Sequence, residues 1–326
     1  MTRLVDLSRS GQWWEYKLPP ALAIFYATAL RSGTPISALW LPLAELLGAL
    51  AIFATYVSLI NDFTDREDDR RAGKPNRLAA LSTATGTTLI GASVFLGALL
   101  FWRFADRPTV FVTYLAGWIA YSLYSLPPFR LKARAAFGAA ADAIGAHFVP
   151  ALLALFLAQP SASDLSQFAW ILVVAVWSGA YGIRGIIWHQ LLDEENDRVS
   201  GVNTFVIRHP GAIRPLVRNI LFPAEMVALT AMLVMVGAPV TVFALAAYAF
   251  FVIARLNRFE QQAVIVISGP RSILVLNEYY EVFLPLALLV ASASRHLEDL
   301  WVVAGHLILF PRLLARVFSD WREVRR

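Results

Sequence analysis

The sequence predicts an all-α polytopic membrane protein: a bundle of nine transmembrane helices, ten if a short last segment also crosses, built from two four-helix halves. Three observations predict it. Only 16% of the 326 residues are charged and 58% are hydrophobic, with a mean hydropathy of +0.59, whereas a soluble domain carries about 25% charged residues. Several apolar runs reach the roughly 20 residues that span a hydrocarbon core. Lys and Arg also concentrate in alternate loops, as they do in chains that thread a bilayer. A single domain over residues 1–326 is expected, with pseudo-repeat halves at about 15–135 and 136–275 and C-terminal helices at 276–326.

Taken in order, Trp13, Trp14 and Tyr16 beside Lys17 read as an interfacial belt, where amphipathic rings and a snorkelling cation settle at the headgroups. A short first helix is expected over about Pro19–Leu30. The second is expected over about Ile36–Ile60, where Glu45 is the single charge. The third and fourth fall at about Thr85–Trp102 and Thr109–Leu126, and Pro127–Pro128 stops the latter. The fifth to ninth fall at about Ala136–Ala158, Phe168–Leu192, Ile220–Val236, Val240–Leu256 and Tyr280–Ala293. A last apolar stretch, about Leu300–Leu314, either crosses or lies in the interface.

The even-numbered helices are followed by basic loops: Arg66, Arg70, Arg71, Lys74 and Arg77; Arg130, Lys132 and Arg134; Arg198, Arg208, Arg214 and Arg218; Arg255, Arg258 and Arg271. The opposite turns hold only Arg31, Arg103, Arg107 and Arg295, and the chain ends on Arg312, Arg316, Arg322, Arg325 and Arg326. This asymmetry predicts a multi-pass protein of a bacterial-type inner membrane with its N-terminus on the cytoplasmic side. The pI near 9.6 is then a property of these loops, and no nucleic-acid partner is expected. With no cysteine, disulfides, thiolate metal sites and cysteine nucleophiles are excluded. The N-terminus lacks the apolar core and small-residue cleavage site of a signal peptide.

Two acidic clusters cap apolar runs. Five of the 23 acidic residues (Asp62, Asp65, Glu67, Asp68, Asp69) lie within Asn61–Asp69, and four more (Asp193, Glu194, Glu195, Asp197) follow another apolar run. Aligning the starts of the two clusters sets Asn61 against Asp193 and predicts a coarse internal repeat. If the second helix continues through the first cluster, Asp62, Asp65 and Asp69 share about 60° of arc while Glu67 and Asp68 point elsewhere. Asp193 and Asp197 likewise share a face. Carboxylates stacked on one face repel unless neutralised. An all-oxygen set of this kind suits Mg²⁺, which divides itself between one or two carboxylates and substrate phosphates. Lys74, Arg77, Arg130, Lys132 and Arg198 are placed to take the phosphate oxygens that the metal leaves. Because each cluster ends the second helix of its half, the two halves predict one shared site on the cytoplasmic side.

These residues resemble a known family. Asn61, Asp62, Asp65 and Asp69 match the NDxxDxxxD motif of the UbiA superfamily of intramembrane aromatic prenyltransferases. GKPNR, ending in Arg77, is similar to that family's basic segment, and YSLPPFRLK, from Tyr124 to Lys132, to its YSxPPxRxK segment. DEENDRVSGVNT resembles its second motif through Asp193, Asp197, Gly201 and Thr204. The resemblance implies a UbiA-like bundle and Mg²⁺-dependent prenyl transfer. Asp62, Asp65, Asp69, Asp193 and Asp197 would hold Mg²⁺ on the diphosphate of an isoprenoid donor, which ionises to an allylic cation. A hydrophobic acceptor, commonly an aromatic ring or quinone precursor, would then attack, with the prenyl tail in a lateral opening to the bilayer. Two positions depart from the pattern: Leu78 stands where a Pro usually follows the Arg, and Asn203 where a basic residue is common.

Further candidates are Arg184, His189 and Gln190 near the second cluster, read as contacts to diphosphate or acceptor, since ionisable groups within a membrane usually face a cavity. Asp142, His147, Glu45 and Glu225 are placed similarly. Tyr124, with Tyr121 and Tyr181, has ring electrons suited to a carbocation. Three other readings compete. A divalent-cation transporter would line its path with the acidic clusters, though arginines beside them repel a permeating cation. A CDP-alcohol phosphotransferase would carry Asp-Gly, which this chain lacks. A UbiA homologue without transfer activity would only bind prenyl lipids.

Overall fold

The computed structural model describes residues 4–71, 73–159, 164–199, 201–266 and 272–324, so that Arg271, Arg325 and Arg326 lie outside them. The chain is helical nearly throughout. Long helices run Ser10–Arg31, Trp40–Thr64, Thr83–Phe104, Pro108–Ser125, Ala136–Ala158, Leu165–Leu192, Pro210–Val236, Pro239–Phe259 and Tyr279–Ala293, followed by Leu300–Leu309 and Pro311–Val324.

Local chemistry sets many of these ends. Ser82 accepts from Thr85 N at 3.1 Å and Asp164 from Gln167 N at 2.8 Å, each capping a helix N-terminus. Pro108, Pro239 and Pro311 open theirs, where the missing N–H has no partner to lose. Gly237, at φ 61°, ends Pro210–Val236 in the left-handed region. The buried Asp299 carboxylate accepts from Ile36 N at 3.1 Å and Ser37 N at 2.7 Å, which ties the start of the second helix to the far end of the chain.

Among the described residues six helices are long and apolar enough to cross a membrane, and a seventh span arises if Leu297–Leu309 and Pro311–Val324, bent by 79°, count as one. The protein is therefore an all-α integral membrane protein, and the expected count of nine is not reached on length and composition. Ser10–Arg31 and Pro108–Ser125 are long but less apolar, and Tyr279–Ala293 is apolar but short for a span. The last apolar stretch is corrected too. It breaks at Phe310–Pro311, because Pro311 cannot donate to the preceding turn. Its second half is an amphipathic helix that packs Trp321 on Phe250 and Phe251 and pairs Asp320 with Arg255 at 3.2 Å.

The first helix starts earlier than expected, at Ser10, and carries Pro19 and Pro20 inside. Neighbouring elements re-satisfy backbone freed by proline within a membrane bundle. This helix is the hub: every side chain from Leu18 to Leu30 is buried. Trp170, Trp177, Tyr279 and Tyr280 share its core, with Trp170 donating to Thr28 Oγ1 at 3.0 Å. A short parallel pair, Gln262–Val264 with Ser272–Leu274, was not foreseen; strands this short leave too little periodicity to read.

Candidate active site

The acidic clusters sit on two helix ends built alike. Thr64 and Leu192 are the last helical residues, and Asp65 (φ −99°, ψ 1°) and Asp193 (φ −95°, ψ 2°) follow in the same conformation. A six-residue helix comes next on each side, Arg66–Arg71 and Glu194–Val199, and then a left-handed glycine, Gly73 at φ 65° and Gly201 at φ 69°. The backbone bonds match as well: Lys74 N to Asp69 O and Val202 N to Asp197 O are both 2.9 Å. The register that aligns the two ends thus pairs Asp65 with Asp193 and Asp69 with Asp197. Setting Asn61 against Asp193, as the starts of the clusters suggest, does not align them, because Asn61 still lies within its helix.

The break at Asp65 corrects the helical arithmetic. Because the helix restarts at Arg66, phase is lost, and the exposed Asp68 reaches the rim of the same cavity as Asp65 and Asp69, where it accepts from Arg130 at 2.6 Å. That hydrogen bond, with the charges of Arg130 and Arg71, outweighs burial and holds the Asp68 carboxyl below its ordinary value. Glu67 faces away and pairs with Arg70 and Arg71. Asp62 is 1% exposed and lines neither cavity described below. Arg9 holds its Oδ1, and its Oδ2 is buried with no hydrogen-bond partner.

Asp65, Asp68 and Asp69 face Asp193 and Asp197 across a cavity of about 630 Å³, which also takes Arg71, Lys74, Arg130, Lys132, Gln190 and Thr204 into its wall. Lys132 Nζ bonds both carboxylate oxygens of Asp65 at 2.5 Å and Asn61 Oδ1 at 3.1 Å. Arg130 bridges Asp65 at 2.9 Å and Asp68. Lys74 reaches across to Asp197 at 4.0 Å. Burial pushes the Asp197 carboxyl up, with Asp193 adding and Lys74 opposing, and lowers the Lys132 ammonium's pKa against the pull of Asp65. Asn76 fixes the first cluster from behind, donating to Asp69 Oδ2 at 2.8 Å and to Asp62 O at 2.7 Å.

The basic loop is held close to the second motif. Ala135 N donates to Asn203 O at 2.9 Å and Ala135 bridges Thr204, so the departure at Asn203 still serves through its backbone. Gly138 lets the next helix rest on the Lys132 segment. A methyl there would lie 2.6 Å from Leu131 O and 3.0 Å from Lys132 Cα. Gly138→Ala is therefore expected to destabilise the protein by about 1–3 kcal/mol, which thermal unfolding in detergent checks.

A second cavity, of about 820 Å³, adjoins the first and shares Tyr124, Ile186, His189 and Asp193 with it. One part of its wall is apolar (Leu18, Leu50, Phe53, Ala54, Val57, Pro150), and Arg9, Lys17, Ser58, Asn61, Tyr121 and Asp142 also line it. Asn61 therefore stands at the junction, accepting from Ser125 at 2.7 Å and from Lys132. Lys17 bonds His147 Nε2 at 2.8 Å.

The expected site residues thus divide. Asp65, Asp69, Asp193, Asp197, Lys74, Arg130, Lys132, Tyr124 and His189 line the first cavity, and Asn61 the second. Arg77 lines neither. Arg198 is exposed and pairs with Glu194 at 2.7 Å. Arg184 is corrected: at 0% exposure it donates to Glu225 through Nε (2.7 Å) and Nη2 (2.8 Å), and to the carbonyls of Ile265 and Val275. Tyr280 also donates to Glu225. A buried arginine needs every charge answered, and that role excludes it from the cavity. The cavity-lining and neighbouring residues that sequence reasoning missed are Asp68, Arg71 and Arg9, while Gln190 lines the first cavity as expected. Asp68 carried a signal, its i,i+3 spacing from Asp65; the position of Arg9 had none.

The donor set fits Mg²⁺. It is all oxygen, with three carboxylates on one rim and two on the other. Among the described residues no three His, Asp or Glu side chains come together as a metal cage; Mg²⁺ commonly takes only one or two carboxylates and keeps several waters.

The sequence model of the UbiA prenyltransferase family matches residues 18–264. No curated protein sequence matches the chain significantly. Among solved structures, a UbiA homolog from Archaeoglobus fulgidus bound to DMAPP and Mg²⁺ has a TM-score of 0.59 at 16% identity, over 90% of this chain and 99% of that one. A UbiA homolog from the same organism bound to GPP and Mg²⁺ gives 0.57 at 14% identity over 90% and 99%. A Cd²⁺ complex gives 0.54 at 16% identity over 90% and 98%. At these identities the likeness is one of fold.

Proposed function

The chain belongs to the UbiA prenyltransferase family, and from that premise we propose that it transfers a prenyl group from an isoprenoid diphosphate to a hydrophobic acceptor, of aromatic or quinone-precursor type, within the membrane. The observation that carries this reading is the junction of the two cavities. An acidic and basic mouth of about 630 Å³ opens at Tyr124, Ile186, His189 and Asp193 onto a partly apolar chamber of about 820 Å³. An amphiphile with a diphosphate head and a prenyl tail fits that division. A permeating cation does not, because Arg130, Lys132 and Lys74 line the mouth.

Lys132, Arg130 and Lys74 hold diphosphate oxygens and, with Asn61, fix the donor's head at the junction. Asp65, Asp68, Asp69, Asp193 and Asp197, which line the mouth, are the residues that would hold Mg²⁺, while Asp62 lies behind them against Arg9. When bound, Mg²⁺ supplies positive charge where negative charge gathers on the leaving diphosphate. Tyr124 and Tyr121 line the chamber, where their rings stabilise an allylic cation electrostatically. The apolar walls keep water from that cation. The loop charge asymmetry supports a mouth on the cytoplasmic side, and the matched helix ends support a site shared between two related halves.

Purified protein in detergent, given allylic diphosphates of increasing length, Mg²⁺ and a panel of phenolic acids and quinone precursors, is expected to release diphosphate only with Mg²⁺ and to yield a prenylated acceptor. Mg²⁺ flux in liposomes without diphosphate binding would overturn the reading. Mg²⁺-dependent binding of donors without transfer to any acceptor would favour a lipid-binding homologue.

A further inference from the structure

The departure at Leu78 has a partner. Leu78 is 0% exposed, and it packs with Leu7 and Leu59 in a small cluster separate from the main core, ringed by Phe63, Leu81, Leu89 and Ile90. Leu7 belongs to an N-terminal segment, residues 4–9, that reaches the first acidic cluster. Just beyond it, Arg9 takes a left-handed conformation (φ 53°, ψ 25°), which turns the chain into the first long helix. Arg9 donates to Asp62 Oδ1 and forms part of the apolar chamber's wall. Asn76 ties the same loop together: it donates to Asp62 O and accepts from Leu78 N at 3.1 Å. Arm, socket and first-motif aspartate are therefore one assembly.

We propose that this arm is a built part of the donor site, Leu78 being the socket that seats it through Leu7 and Arg9 the positioning residue that holds Asp62. The inference rests on the prenyl-transfer reading of the site. A proline at position 78 would replace the leucine side chain by a smaller, fixed ring and remove the N–H that donates to Asn76 Oδ1. Leu78 instead provides a fully buried contact on the loop that follows Arg77. Seating the arm brings a guanidinium to the carboxylate that the mouth does not reach, so the arm's docking tunes how tightly the site holds a metal–diphosphate head.

The test uses full-length protein in detergent, with dimethylallyl thiodiphosphate plus Mg²⁺ as the calorimetric probe and trypsin cleavage after Arg9 of the metal-free protein as the second readout. Arg9→Gln is expected to weaken probe binding by at least about tenfold, the size of a charged hydrogen bond, and Arg9→Lys to restore part of it. Leu78→Ala and the milder Leu7→Ala are expected to expose the Arg9–Ser10 bond to trypsin and to weaken binding in parallel. The double variant Arg9→Gln/Leu78→Ala is expected to bind no more weakly than Arg9→Gln, because both changes break one device. Wild-type binding by Arg9→Gln, additive losses in the double variant, or unchanged proteolysis of Leu78→Ala would overturn the proposal. A wild-type chain that binds no probe would overturn the donor reading itself.

Discussion

Asp65→Asn is expected to lower prenyl transfer by about 10²–10³-fold, the scale of losing one preorganised electrostatic group at a reacting centre. Asp65 is the residue on which the mouth converges. Lys132 bonds both its oxygens and Arg130 one, and Asn61 shares Lys132 with it. Removing its charge subtracts one of the carboxylates proposed to hold the metal and also releases two cations from their arranged positions. Asp193→Ala, at the matching place on the other helix end, is expected to act alike. Diphosphate release from an allylic donor measures both, with far-UV circular dichroism to establish that the helices remain. Near-wild-type turnover in Asp65→Asn would remove Asp65 from the metal site.

The second large effect is on stability. Arg184→Met is expected to destabilise the protein by about 3–5 kcal/mol, since it leaves Glu225 charged and buried. Both side chains are 0% exposed in the pair, and the guanidinium also holds the carbonyls of Ile265 and Val275 beside the short parallel strands. The double replacement Arg184→Met/Glu225→Leu, which removes both charges, is expected to recover most of the loss. Thermal unfolding in detergent separates the two. Equal losses in the single and double variants would mean that the backbone bonds, not the ion pair, carry the effect. Catalysis by the double variant at the wild-type KM would confirm that Arg184 lies outside the donor site.

Much of this architecture was legible from residue order. Apolar runs and alternate basic loops specify a helical membrane protein, because hydrocarbon leaves the backbone no partner but its own helix. The aspartate spacing and the four motifs pointed to residues most of which line one cavity. Residue order misled where long-range packing decides. Pro19 and Pro20 looked like a helix start, yet neighbouring helices carry the first helix through them. Arg184 looked like a ligand until Glu225, 41 residues away, answered its charge.

The stretch Asn61–Asp69 shows the boundary most plainly. Its composition, its place at the end of an apolar run and its partner cluster were all set by local order. A straight helix could not be assumed through it. The backbone turns at Asp65, so Asp68 joins the cavity while Asp62 is buried against Arg9, an arm residue 53 positions earlier. Helix periodicity is a local property and is written in neighbouring residues. Which carboxylate meets which cation depends on how distant segments pack, and that was settled only when the arm, the basic loop and the two helix ends came together in three dimensions.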